Sequence, residues 1–81
     1  MLTIQIRNFS LVKEALSRDR IELELPEGAT VGSLLTEIRK LNPEKLSGLP
    51  VRAAVNHEYA EESKILRNMD EVALIPPVSG G

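Results

Sequence analysis

The sequence has 81 residues, 42% hydrophobic and 27% charged, with a formal net charge of −2, which suits one domain with a modest core and is too hydrophobic for disorder. The absence of cysteine excludes disulfides, thiolate catalysis and cysteine metal sites, and two aromatics, Phe9 and Tyr59, are too few for a nucleic-acid stacking platform. No basic run exceeds two residues, no apolar stretch approaches the roughly 18–20 residues of a membrane span, and the start alternates too strictly for a signal peptide; the expectation is a cytoplasmic protein that engages neither nucleic acid nor membrane.

Leu2, Ile4 and Ile6 alternate with Thr3, Gln5 and Arg7, the two-residue period of a strand with one apolar face. After Ser10, read as an N-cap, Leu11, Val12, Ala15 and Leu16 recur at helical spacing and predict a short helix. Ile21, Leu23 and Leu25 then alternate with Arg20, Glu22 and Glu24 in a second strand, ended by Pro26 and Gly28. Thr30 is placed to cap the clearest helix, in which Val31, Leu34, Leu35, Ile38 and Leu41 form one stripe. Pro43 stops that helix and pushes Asn42 out of the helical region, and residues 44–50 read as a loop with at most one helical turn.

A third strand carries Val51, Ala53 and Val55 on one side and Arg52, Ala54 and Asn56 on the other. A turn at Asn56-His57 leads to a short extended piece over residues 58–60. The polar residues 61–64 precede Ile65-Leu66, which is expected to tuck under the domain. In the last strand, residues 71–75, Val72 and Leu74 face one way while Ala73 and Ile75 face the other; apolar on both faces, it belongs in the middle of its sheet.

The order strand, strand, long helix, strand, short strand, strand predicts an α+β fold of the β-grasp type, a mixed sheet with one main helix packed on one face. Residues 1–75 form the domain and residues 76–81 an extended tail. One helix covers one face, so Ala73 and Ile75 are expected on the uncovered side, an apolar patch at the tail's root; the alternative is that residues 44–50 cover it.

The tail reads Pro76-Pro77-Val78-Ser79-Gly80-Gly81. The prolines fix φ and favour extended geometry, whereas Gly80-Gly81 lacks Cβ atoms and can pass through a channel too narrow for a side chain. The expectation is a stiff base with a thin, flexible tip that reaches on the order of 20 Å beyond Ile75. The plain alternative is a chain end of small residues with no role.

With the closing run Asp70-Glu71-Val72-Ala73-Leu74-Ile75-Pro76-Pro77-Val78-Ser79-Gly80-Gly81, the chain resembles the small-subunit family of molybdopterin synthase, sulfur carriers of molybdenum cofactor biosynthesis within the ubiquitin-like superfamily. The likeness extends to Phe9-Ser10-Leu11-Val12-Lys13-Glu14 and to Ala53-Ala54-Val55-Asn56. Two positions depart from it: Lys13 stands where arginine is usual, and Met69 where glycine is common, which leaves Asn68 to take a left-handed turn. The resemblance implies that a ubiquitin-activating-like adenylyltransferase, using ATP, adenylates Gly81, that sulfur then makes a thiocarboxylate, and that the tail delivers it on the synthase large subunit. There cyclic pyranopterin monophosphate becomes molybdopterin. Gly81 would carry the atom, Gly80 would let it pass, Pro76, Pro77, Val78 and Ser79 would position it, and Ala73, Ile75 and Phe9 would contact partners. The chain itself would bind no cofactor and act as a non-catalytic subunit of a heteromer.

The remaining polar residues have plainer readings. His57 lacks companions for a metal site, Glu61-Glu62 and Glu22/Glu24 lack a convergent third group, and Asp70 and Glu71 read first as turn formers. Alternatives stay open: a carrier for the thiazole of thiamine or for a transfer RNA base, a protein modifier joined through Gly81, or an interaction module with an inert tail.

Overall fold

A computed structural model describes residues 1–76 of the chain; the expectations placed on Pro77, Val78, Ser79, Gly80 and Gly81 lie outside the described residues. The alternation of Leu2, Ile4 and Ile6 produces strand β1 (Leu2–Asn8), with every second side chain buried. It is followed by α1 (Ser10–Leu16), β2 (Arg20–Leu25), α2 (Val31–Leu41), the single turn α3 (Pro43–Leu46), β3 (Arg52–Val55), β4 (Glu58–Ala60) and β5 (Glu71–Ile75).

The strands form one mixed sheet in the order β2-β1-β5-β3-β4. Strand β5 lies at its centre, parallel to β1 and antiparallel to β3, as its two apolar faces predict. One face of the sheet packs on the helices. Ile4, Ile6, Val72 and Leu74 meet Val12, Val31, Leu34, Leu35, Ile38 and Leu46 in a wholly aliphatic core.

Helix α2 starts at Thr30, whose Oγ1 accepts from the Ser33 N–H (3.2 Å) while Ser33 Oγ accepts from the Thr30 N–H (2.8 Å), a reciprocal cap. The N–H groups of Val31 and Gly32 donate instead to the carbonyls of Lys64 and Glu62, both at 2.9 Å. The polar segment 61–64 therefore satisfies the first turn of α2, a role its composition did not suggest. Leu41 is 54% exposed rather than part of the buried stripe. At about 100° per residue it has drifted to the stripe's margin in the helix's last position.

Several local expectations are corrected. The N-cap of α1 is Phe9, with no side-chain capping bond, and Ser10 is the first helical residue, at φ 53°. Leu66 is buried as expected, but its neighbour Ile65 is 62% exposed. The left-handed turn before β5 falls on Met69 (φ 69°), not Asn68. Asn68 is held by another bond, its Oδ1 accepting from the Thr3 N–H (2.7 Å), and the Met69 N–H donates to the Thr3 carbonyl (2.7 Å). Residues 44–50 do not cover the open face, because Leu46 is 1% exposed among the helices and Asn42 Nδ2 ties the α2–α3 junction to the Ala15 carbonyl (2.9 Å).

Candidate functional site

The uncovered face of the sheet carries the root of the tail. Its rows follow from the registers Arg7↔Arg20, Arg7↔Ala73, Ala54↔Ala73, Ala54↔Tyr59 and Arg52↔Ile75. The three residues expected to contact partners lie together there: Phe9 (39% exposed), Ala73 and Ile75 line one groove of about 290 Å³.

The groove also includes Arg7, Ala54, His57, Tyr59 and Glu71, which sequence reasoning had not assigned to a site. Two cations lie against the aromatics beside it. The Arg7 guanidinium is 5.4 Å from the Phe9 ring centroid, and that of Arg52 is 4.3 Å from the Tyr59 centroid. Alternation had put Arg52 and Ala54 on one side of β3, but only the cross-strand register shows that this side adjoins Ala73 and Ile75.

The base of the tail is fixed at both ends of β5. At its start, Asp70 accepts from the Arg67 N–H (2.8 Å) and from Asn56 Nδ2 (2.9 Å), while the Glu71 N–H donates to Asn56 Oδ1 (3.0 Å). Asp70 is thus the turn former expected of it, and Asn56 joins the β3–β4 hairpin to β5. Asn56 (φ 49°) and His57 (φ 75°) are the two left-handed residues of that hairpin. At the far end Pro76, the first tail residue, is buried.

His57 is exposed on the hairpin, its Nε2 3.6 Å from Glu71 Oε1. A larger recess of about 700 Å³ runs beside β4, but its walls mix Glu58, Glu61, Lys64, Arg67 and Asp70 without a convergent nucleophile or base. Among the described residues no His/Cys/Asp/Glu group could hold a metal ion, and no helix is long and apolar enough to cross a membrane.

A mixed sheet with a central C-terminal strand, helices on one face and an open face at the tail's root defines a ubiquitin-like β-grasp domain. Residues 7–81 match the model of the ThiS family, and the chain belongs to that family. It is 38% identical over 77 residues to the molybdopterin synthase sulfur carrier subunit of Dictyostelium discoideum, with 90% of each protein covered. Its fold matches a putative molybdopterin converting factor subunit 1 from Pyrococcus furiosus with a TM-score of 0.88 and 31% identity, over 96% of this chain and 100% of that one. One chain in the structure of a complex of subunits 1 and 2 of the molybdopterin-converting factor from Helicobacter pylori 26695 shares the fold at a TM-score of 0.67 and 18% identity, over 99% of this chain and 100% of that chain.

Proposed function

We propose that the chain is the sulfur carrier subunit of a molybdopterin synthase, bearing sulfur as a thiocarboxylate on Gly81. The observation that carries this reading is the similarity, over nine-tenths of the chain, to a relative of that name. The described geometry supports it: the segment leading to Gly81 leaves a central strand beside an uncovered, partly apolar face.

A carboxylate is a poor electrophile, so activation must come first. The Gly81 carboxylate attacks the α-phosphorus of ATP on an adenylyltransferase of the ubiquitin-activating type and releases pyrophosphate. Hydrosulfide supplied by the sulfur donor then adds to the acyl carbon and expels AMP, leaving the thiocarboxylate. Docked on the synthase large subunit, the tail donates this sulfur toward the dithiolene of molybdopterin. Ala73, Ile75 and Phe9 supply the apolar contact. Gly80 permits entry to a narrow channel, and Pro76, Pro77, Val78 and Ser79 set its direction. The assembly of subunits 1 and 2 in the Helicobacter protein supports a large-subunit partner.

Incubation with the cognate activating enzyme, ATP and a sulfur donor is expected to raise the protein's mass by one oxygen-to-sulfur exchange, located at Gly81 by fragmentation. Deleting Gly81 should abolish both the exchange and cofactor synthesis while the fold stays intact. A truncated protein that still complements a cofactor-deficient strain would refute the proposal.

A further inference from the structure

The open face segregates its charges by sign. Arg7 stands directly opposite Arg20 in the β1–β2 ladder, and Lys13 joins them around a recess of about 300 Å³ beside Phe9, with Asp19 as its one carboxylate. Two residues back along the strands, about 7 Å away, Gln5 stands between Glu22 on β2 and Glu71 on β5, and Glu24 follows one step further. The cationic pole is at the end of the face where the tail begins, and the anionic pole is at the other.

Like charges directly opposite each other destabilise a sheet, so a face arranged for its own stability would alternate them. This face puts arginine opposite arginine instead. Among the described residues Arg7, Lys13, Arg20, Glu22 and Glu24 form no ion pair, and Glu71 approaches only His57. The two poles are separated by about one Debye length at physiological salt, so a partner in contact meets them as distinct signs.

We propose that the open face is a charge-polarised docking surface whose partner presents carboxylates to Arg7, Lys13 and Arg20 and basic side chains to Glu22, Glu24 and Glu71. This rests on the reading of the chain as a carrier subunit, with the synthase large subunit as the partner. The polarity selects the one docking orientation that directs the tail into the partner, since rotating the complex by half a turn would oppose like charges at both poles.

The test uses the full-length chain with the purified large subunit. Association rates are measured for the wild type, Arg20→Glu and Glu22→Lys at low and high salt, alongside urea stability. Both reversals are expected to slow association about three- to tenfold at low salt, with the difference shrinking at high salt. Arg20→Glu should be at least as stable as the wild type, because the substituted carboxylate would face Arg7. Lys13→Glu and Glu24→Lys form a second pair that probes the same poles without altering the Arg7↔Arg20 opposition.

If one reversal slows association and the other speeds it, the partner carries a field of one sign and the polarity is refuted. Unchanged rates for both pairs refute it equally. A wild-type chain that does not bind the large subunit overturns the carrier reading itself, whereas a tight complex indifferent to these charges overturns only the polarity.

Discussion

Replacing Ile75 with aspartate separates folding from docking. Ile75 ends β5, half-buried on the face away from the core, and the aliphatic area lost there lowers fold stability by about 1–1.5 kcal/mol at roughly 25 cal/mol per Å². The new carboxylate would stand across the ladder from Arg52, which lies over the Tyr59 ring. An exposed cross-strand ion pair offsets a few tenths to about 1 kcal/mol of the loss. The net effect on folding is therefore expected to stay near or below about 1 kcal/mol. In a docked complex the same carboxylate is taken out of water against apolar groups, at a cost of about 3 kcal/mol or more. That corresponds to roughly a hundredfold or greater loss of affinity. Urea titration measures the first quantity, and calorimetric titration with the large subunit the second. An unchanged Kd with an intact fold would remove Ile75 from the interface; a fold loss above about 3 kcal/mol would place its side chain energetically in the core.

Met69→Gly is expected to stabilise the domain by about 0.5–1 kcal/mol, because Met69 holds φ 69° with its side chain 60% exposed and a Cβ is penalised there; chemical denaturation checks it, and a destabilised variant would show that the side chain packs usefully. Asn56→Ala removes the side-chain bonds to Asp70 and Glu71 and places a Cβ residue without local hydrogen bonding at φ 49°, a loss of about 2–3 kcal/mol, seen as a lower urea midpoint with an unchanged slope. Thr30→Ala deletes the acceptor for the Ser33 N–H and should cost about 1 kcal/mol; no change would mean that the carbonyls of residues 62 and 64 suffice to start α2.

The elements that sequence reasoning identified are those whose cause is periodic. Leu2, Ile4 and Ile6 declare β1 because alternate side chains of a strand share a face, and Val31, Leu34, Leu35 and Ile38 declare α2 by the helical repeat. The central position of β5 was legible from its two apolar faces. Features set by tertiary backbone contacts were not. Nothing in Glu61-Glu62-Ser63-Lys64 signals that the carbonyls of Glu62 and Lys64 receive the first N–H groups of α2, since every residue type offers a carbonyl. The turn at Met69 was assigned to Asn68 on propensity, but the Asn68 side chain is committed to β1, and the neighbouring residue takes the unfavourable backbone. Arg52 and Tyr59 were missed at the candidate site because register alone puts Arg52 opposite Ile75, and Tyr59 next to Ala73 by way of Ala54, across separate strands.

The proposed chemistry makes one further demand on this arrangement. The helices occupy one face of the sheet, and the groove lined by Ala73 and Ile75 lies on the other; under the proposed function the activating enzyme and the synthase large subunit would both dock on that groove. On that reading one carrier would not serve both at once, and each cycle would require it to leave one partner before engaging the next. Such a carrier gains from fast, oriented association more than from slow release, because a long-lived complex with either partner stalls the cycle. Charges around a partly apolar groove meet that need: they raise the encounter rate and fix orientation while adding little to residence time. The opposition of Arg7 to Arg20 then has a physical rationale, as a small loss of fold stability kept for rapid and directed exchange between partners.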